Sequence, residues 1–280
     1  MQLDVVRSFK QDVLDRLSHL SGDRFNVELV DVREPRSNFC PLYCVTTVRD
    51  KNRDKNRGRK EVLISAGIHG EEPAGVYALL KFLEEDVQDF LDDYRFMVFP
   101  CINPFGFEHN HRFSPAGLNI NRQFGIKTVC REANAVVMTL VQKMGRDRFI
   151  CTIDLHETDP NFVGEGFKPE DNPKGFYMWE VCPDRGLRIG DRVIESIEEV
   201  VPVCKWDSIY KDKNSGGVIW YPEGCGNPVY AQGTTLEAYL NANYTSQSFT
   251  LETPCGWHMN QRIFAHRAAL RKILELKRDA

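Results

Sequence analysis

The sequence predicts a single α/β domain with a mixed, mostly parallel central sheet that is covered by helices on both faces. Short apolar runs alternate along the chain with stretches of helical periodicity, which is typical of parallel or mixed sheets. The 280 residues are enough to build one large core. No change in composition marks a linker, so we expect one domain over residues 1–280.

The first region, about residues 1–60, is expected to supply a helix and strands ahead of the catalytic core. Apolar residues fall at helical spacing from Val5 to Leu20, which predicts an amphipathic helix. A run dense in charge follows at residues 50–60. Because its acids are interleaved with bases, we interpret this run as a solvated loop between two strands and not as a site for a polyanion.

The expected catalytic core, about residues 61–256, repeats strand, loop and helix several times. Strands are predicted at 61–67, 95–102, 148–155, 176–182 and 248–251, and helices at about 73–85, 132–144 and 187–200. A last helix is predicted at about residues 257–277. In sheets of this kind ligands bind beyond the carboxyl ends of the strands, so functional residues are expected there.

Composition and charge argue against several classes of function. The formal net charge of −4 gives no footprint for nucleic acid or an anionic membrane. No apolar stretch is long enough to span a bilayer, and the first residues lack the apolar centre of a secretory signal. Nine cysteines without a C-x-x-C pair predict buried free thiols in a reducing compartment. We therefore expect a cytoplasmic protein, whose oligomeric state the sequence leaves open.

Histidines and carboxylates follow the predicted strands and converge at one edge of the sheet. His69 and Glu72 follow the first core strand, and Glu72 stands directly before Pro73 at the start of a helix. His156 follows a separate strand. Each residue alone is a weak signal, but three ligands with an open fourth position are what a catalytic zinc site needs. The combination predicts one Zn²⁺ ion held by these three side chains.

Further motifs continue this pattern in a fixed order between about residues 61 and 256. They are His69-x-x-Glu72, Asn103-Pro104-Phe105-Gly106, Gly117-Leu118-Asn119-Ile120-Asn121-Arg122, His156 and Phe249-Thr250-Leu251-Glu252. Jointly they resemble the zinc carboxypeptidase family, to which the succinylglutamate desuccinylase and aspartoacylase group is related. The resemblance implies a zinc hydrolase, and it implies roles for the matching residues.

The resemblance implies catalytic roles for two residues and a carboxylate-binding role for two others. Glu252 is expected to take a proton from the attacking water and to pass it to the leaving amine. Arg112 is expected to stabilise the developing oxyanion. Asn121 and Arg122 are expected to hold the terminal carboxylate of the substrate, because a guanidinium matches a carboxylate in a forked pair.

Two further residues are expected to contact the substrate. Tyr230 precedes Gly233-Thr234-Thr235-Leu236-Glu237, a stretch that resembles the base of the family's specificity pocket. The resemblance implies that Tyr230 lends its hydroxyl to the substrate, with Tyr239 and Tyr221 as competing candidates. It also implies that Leu236 points into the pocket and favours an apolar or neutral side chain.

Two positions depart from the family pattern. Asn119 stands where an aspartate usually orients the first zinc histidine, and Gln123 stands where an asparagine is common. An Asn carbonyl can still accept the imidazole N–H, but without charge it makes the histidine a less basic ligand. We expect metal affinity or substrate class to differ from those of the digestive enzymes.

Three functions remain open. The first is a zinc metallocarboxypeptidase that hydrolyses the C-terminal amide bond of a peptide or peptide-like substrate. The second is a zinc-dependent deacylase of N-acyl amino acids, which the segment Asp154-Leu155-His156-Glu157-Thr158 also suits. The third is a non-catalytic module that binds a carboxylate. A helical pattern follows Glu252 where the deacylases carry a β-rich segment, so we favour the peptidase. In either enzyme the partner is a substrate with a free carboxylate.

Overall fold

The computed structural model describes residues 7–30, 41–48, 59–145, 148–163, 167–222 and 233–278, and ten strands within them form one sheet. The strands are β1 (Phe25–Leu29), β2 (Tyr43–Thr47), β3 (Lys60–Ala66), β4 (Tyr94–Phe99), β5 (Cys151–Thr158), β6 (Tyr177–Val181), β7 (Ser208–Ile209), β8 (Asp212–Ser215), β9 (Val218–Tyr221) and β10 (Ser248–Pro254). The α-helices of these ranges are α1 (Asp15–Leu20), α2 (Pro73–Lys81), α3 (Pro104–His109), α4 (Arg131–Met144), α5 (Gly190–Ile197), α6 (Leu236–Asn243) and α7 (Met259–Arg278).

The strand order is β1-β2-β4-β3-β5-β10-β6-β9-β8-β7. The centre of the sheet is parallel, because β3 runs parallel to β4 and to β5, and β5 runs parallel to β10. Antiparallel pairs extend the sheet on one side through β2 and β1 and on the other through β6. The predicted fold class is confirmed: the sheet is mixed, with a parallel core. The carboxyl ends of β3, β5 and β10 therefore meet at one edge.

Alternate residues of the central strands enter two separate cores. On β3, Val62 and Ile64 pack with residues of α2 and α7, whereas Leu63 packs on the other face with residues of α4 and α6. All three side chains are fully buried. Burial on both faces explains why the strand is a continuous apolar run in the sequence and shows no alternation.

The predicted core strands and the last helix all form, with shifted bounds. β5 ends at Thr158 and β10 at Pro254, each three residues beyond the predicted end. His156 and Glu252 therefore lie inside strands and not after them. The sequence did not predict α3, α6 or the strands β7 to β9. Most of the charged run at residues 50–60 lies outside the described residues.

Two other expectations concern the described residues as a whole. The seven cysteines within them are all free, as the lack of paired spacing predicted. None of the helices in the described ranges combines the length and apolar character needed to cross a bilayer.

Backbone packs directly against backbone where the loop after β3 meets α3. A Cβ added to Gly70 would overlap the main chain of Gly106 and Phe107. Main-chain atoms cannot rotate away as a flexible side chain can. The loop that carries His69 is therefore held against α3 by a contact that only glycine permits at this position.

We expect Gly70→Ala to lower the free energy of unfolding by more than about 2 kcal/mol, because the added methyl forces two main-chain segments apart. Urea unfolding followed by circular dichroism measures this loss. The matched control is Gly256→Ala, whose Cβ would meet its nearest neighbour, Cγ of Pro160, at 3.7 Å. Equal stability of the two variants would show that the contact does not constrain the loop.

Candidate metal centre

Two histidines and one glutamate form a buried cluster at the edge of the sheet. One nitrogen or oxygen atom from each of His69, Glu72 and His156 lies within 4.8 Å of the others. Nδ1 of His69 is 2.7 Å from one oxygen of Glu72, and Nδ1 of His156 is 2.9 Å from the other oxygen. All three side chains are almost fully buried. The structure thus brings together the three residues that the sequence predicted as metal ligands.

The local sequence accounts for this convergence. His69 lies in the turn between β3 and α2, and Glu72 is the N-cap residue of α2 with Pro73 at the first helical position. His156 lies near the end of β5, which is paired in parallel with β3. The three-residue step from His69 to Glu72 places both side chains in one turn beside the neighbouring strand end.

The outer nitrogen of each imidazole is held by an acceptor. Nε2 of His69 lies 3.2 Å from Oδ1 of Asn119, and Nε2 of His156 lies 2.9 Å from Oδ2 of Asp154. Ser65 donates its hydroxyl to the other oxygen of Asp154 at 2.7 Å. An acceptor at Nε2 selects the tautomer whose Nδ1 lone pair is available to a metal. The two imidazoles, the carboxylate between them and the acceptors behind them fit a divalent cation.

The charges of the cluster are strongly coupled. Burial and, to a smaller extent, the nearby Arg112 guanidinium lower the pKa of His69 to about 4 against the opposing effect of Glu72. Burial also disfavours charge on His156, but the carboxylates of Asp154 and Glu72 outweigh it and raise its pKa well above the usual value. Burial opposes ionisation of Glu72, yet His69 and His156 hold its pKa well below the usual range. The buried carboxylate requires positive charge beside it, which a metal ion also supplies.

Glu252 faces this cluster from the adjacent strand. In the parallel pairing of β5 and β10, Glu252 lies opposite His156. The hydroxyl of Thr158 donates to one oxygen of Glu252 at 2.9 Å. Burial raises the pKa of Glu252 to about 8; His156 opposes this rise and Glu72 adds to it. A carboxylate with raised proton affinity beside a metal site is suited to act as a general base.

A cavity of about 400 Å³ opens over the cluster. Arg112, Asn121 and Arg122 line it together with the cluster and Glu252. Arg112 donates to Glu71 at 2.9 Å and to Glu72 at 3.2 Å. The side-chain oxygen of Asn121 accepts the backbone N–H of Leu236, which ties the Asn-Arg segment to the start of α6. Seven of the nine predicted site residues therefore share one cavity.

The other two predicted site residues are not among the described residues that line the cavity. Tyr230 lies outside the described residues. Leu236, which was expected to point into the pocket, is fully buried in the core on the α4 face, while its neighbours Thr235 and Glu237 line the cavity. The reason is that Leu236 is the first residue of α6 and its side chain belongs to the buried face of that helix. The competing Tyr239 packs against Phe124 and not in the cavity.

Several residues that line the cavity were not predicted from the sequence. Asp154, Thr158, Thr250, Tyr177 and Trp179 line the cavity from β5, β10 and β6. Asp154 and Thr158 are two residues on either side of His156, and Thr250 is two residues before Glu252. Residues two apart in a strand lie on the same face, so the positions of His156 and Glu252 could have predicted these neighbours as cavity residues. No comparable signal pointed to Tyr210, which reaches the cavity from a distant hairpin.

Similarity to known proteins agrees with this geometry. The catalytic domain model of the succinylglutamate desuccinylase/aspartoacylase family matches residues 58–164, well under half of the chain. No curated protein sequence matches the chain significantly. A protein from Shewanella amazonensis SB2B, provisionally named a metallopeptidase, has 22% identity and a TM-score of 0.70, with 95% of this chain and 91% of that chain covered.

Two other solved structures share the fold. The carboxypeptidase A of Helicoverpa armigera has 14% identity and a TM-score of 0.66, with 98% of this chain and 74% of that chain covered. A metallo-carboxypeptidase from Burkholderia cenocepacia has 18% identity and a TM-score of 0.62, with 94% and 67% covered. At such identities the likeness establishes the fold alone.

The fold, the matched segment and the candidate metal site agree on one class of protein. The class that they resemble is the hydrolase superfamily that contains the carboxypeptidase-like and the succinylglutamate desuccinylase/aspartoacylase proteins. The resemblance that the motifs indicated is thus confirmed. Within the superfamily, the chain combines a segment matching the second group with a sheet that superposes on the first.

We expect the two acceptors behind the histidines to set metal affinity. Asp154→Asn should weaken Zn²⁺ binding about 10- to 100-fold, because a neutral acceptor makes His156 a less basic ligand. Asn119→Asp should strengthen it, since a carboxylate would then face Nε2 of His69. Competition against a chromophoric chelator measures both changes. Unchanged affinity in both variants would contradict a metal-orienting role for these residues.

Proposed function

We propose that the protein is a zinc-dependent metallocarboxypeptidase that hydrolyses the C-terminal amide bond of a peptide or peptide-like substrate. One cavity supports this proposal, because its wall contains the cluster of His69, Glu72 and His156. Glu252 and Arg122 line the same cavity. The cluster suits a hydrolytic metal, the glutamate suits a base, and the arginine suits a carboxylate.

His69, Glu72 and His156 would hold one Zn²⁺ ion. When bound, zinc supplies a Lewis acid that polarises the substrate carbonyl and lowers the pKa of water. Glu252 accepts one proton from the attacking water, whose oxygen bonds to the carbonyl carbon. Glu252 then gives that proton to the leaving nitrogen as the C–N bond breaks, which yields a carboxylic acid and an amine.

The cavity arginines are assigned different tasks. Arg112 lies beside the cluster, so its guanidinium can stabilise negative charge that develops on the carbonyl oxygen. Burial opposes charge on Arg112, but Glu72 and Glu71 outweigh it and raise its pKa, so it stays a cation. Arg122 and Asn121 hold the free carboxylate of the substrate, which restricts cleavage to the last amide bond.

The deacylase remains the second candidate, because the matched family segment contains His69, Glu72 and His156. Such an enzyme would use the same metal, base and carboxylate site on an N-acyl amino acid. The peptidase is favoured because a helix, α7, follows the strand that carries Glu252, where the deacylases carry a β-rich segment. Equal cleavage rates for N-acyl amino acids and for dipeptides of the same C-terminal residue would argue against that preference.

Zinc removal should abolish hydrolysis, and added Zn²⁺ should restore it.

Glu252→Gln should bind Zn²⁺ as the wild type does but lose at least about a hundredfold in kcat, because the amide cannot accept the proton. Equilibrium dialysis for zinc and a ninhydrin assay for released amino acid provide the two readouts. Activity that persists in chelator would refute the metal, and activity that persists in Glu252→Gln would refute the base.

Arg122→Ala should raise KM about 10- to 100-fold for peptides with a free C-terminal carboxylate, since a charge-assisted contact contributes roughly 1.5–3 kcal/mol. The matched control is Lys127→Ala, which removes an exposed cation outside the cavity-lining set. C-terminally amidated peptides should be poor substrates for wild type and variant alike. Efficient cleavage of amidated peptides by the wild type would rule out exopeptidase action.

A further inference from the structure

The hairpin of β7 and β8 turns on two left-handed residues, neither of which is glycine. Tyr210 and Lys211 have φ values of 50° and 72°. L-residues adopt this conformation at a cost of roughly 1–2 kcal/mol each, so other contacts must stabilise the turn. The turn brings Tyr210 and Asp212 to the wall of the catalytic cavity.

The contacts of Tyr210 hold the turn and fix its hydroxyl. The ring packs edge-on against Phe167 with centroids 4.8 Å apart, and the hydroxyl donates to Oδ1 of Asn172 at 2.9 Å. Asn172 is fully buried, and its amide nitrogen donates to the carbonyls of Pro160 and Phe162. Because the nitrogen faces two carbonyls, the Asn172 oxygen faces the tyrosine. The Tyr210 proton therefore points to Asn172.

Two neighbouring hydroxyls are fixed in the same way. When Glu252 is ionised, it accepts the proton of Thr158 at 2.9 Å. The proton shared between Thr158 and Tyr177, whose oxygens are 2.9 Å apart, then belongs to Tyr177. Burial raises the pKa of Tyr177 and of Tyr210, so both phenols stay protonated. The Tyr210 hydroxyl, fixed by Asn172, uses its proton within the wall and has only oxygen lone pairs left for a ligand.

Two carboxylates reinforce this acceptor character. Asp159 and Asp212 line the same cavity, and no ion pair joins either of them to another described residue. The cavity arginines, Arg112 and Arg122, come from segments that follow β4, whereas the hairpin lies beyond β10 in the sheet order. The hairpin therefore adds acceptor atoms to the cavity wall.

We propose that Tyr210 and Asp212 are specificity-determining residues that select a substrate whose acyl half carries a protonated amine, as the free amino terminus of a dipeptide does. The proposal rests on the proposed function, in which Asn121 and Arg122 hold the other half of the substrate by its carboxylate. The hairpin wall then receives the acyl half, and an ammonium group offers it three N–H donors and a positive charge. A succinyl group would bring a carboxylate to the same wall and be repelled.

The test compares ligands that differ only in the acyl half. Alanyl-alanine, N-propionylalanine and N-succinylalanine are titrated at pH 7 by calorimetry into zinc-loaded Glu252→Gln protein, which should turn them over at least about a hundredfold more slowly than the wild type. Alanyl-alanine should bind at least about tenfold tighter than N-propionylalanine, its isostere without the amine, and N-succinylalanine should bind most weakly. Asp212→Asn and Tyr210→Phe, each added to this background, should shrink the tenfold preference to about threefold or less.

Asp207→Asn is the matched control, because Asp207 is an exposed carboxylate near the hairpin that does not line the cavity. It should keep the full preference for the amine. Equal binding of alanyl-alanine and N-propionylalanine, or a preference unchanged by Asp212→Asn, would overturn the proposal. If Tyr210→Phe fails to fold, Asp212→Asn alone decides the outcome.

The same ligands separate this proposal from the proposed reaction. Hydrolysis of alanyl-alanine by the zinc-loaded wild type, without any preference for the amine in binding, leaves the peptidase standing and removes the specificity role of the hairpin. A preference for the amine without hydrolysis of any dipeptide retains the hairpin assignment and removes the peptidase.

Discussion

The candidate site depends on one constraint: the buried carboxylate of Glu72 must be balanced by positive charge beside it. It lies between the Nδ1 atoms of two imidazoles and is almost fully buried. An isolated carboxylate there would be strongly destabilising, so the histidines have to converge on it. The same convergence creates a candidate metal site, because the Nδ1 atoms that face the carboxylate are also possible ligand atoms.

The surrounding fold meets this constraint through backbone geometry. The N-cap position fixes Glu72 at the start of α2, the end of β5 supplies His156, and the register of β5 with β10 brings Glu252 opposite it. The acceptors behind the two imidazoles come from further positions, Asp154 on β5 itself and Asn119 in a loop. The candidate metal ligands and Glu252 are thus placed by strand pairing and a helix start, both of which are rigid elements.

The central part of this arrangement was predictable because it is local or periodic. The motif His69-x-x-Glu72 before Pro73 and the apolar runs of strand length each lie in adjacent residues. They predicted the fold class, the candidate metal ligands and the place of Glu252 at the end of the last strand. Leu236 shows where this reasoning fails. A resemblance in sequence predicted that its side chain lines the pocket. Neighbouring residues of a helix point in different directions, however, and the packing of α6 directs Leu236 into the core.

Tyr210 shows a second kind of failure. Its approach to the cavity depends on a two-residue turn in a left-handed conformation, and neither residue of the turn is a glycine that would have predicted it. It also depends on Asn172, which lies far from it in sequence and joins the hairpin to the loop after β5. Such contacts depend on tertiary packing, so no window of adjacent residues can reveal them.

The place of the hairpin at the outer end of the sheet has a consequence for how this protein can change over evolution. β7 and β8 are joined to the sheet only through β9 and carry none of the metal ligands. Insertions or exchanges there leave the pairing of β3, β5 and β10 untouched, so the catalytic spacing is insulated from them. Lineages sharing this sheet can therefore change the hairpin side of the cavity while the spacing of the candidate metal ligands stays fixed.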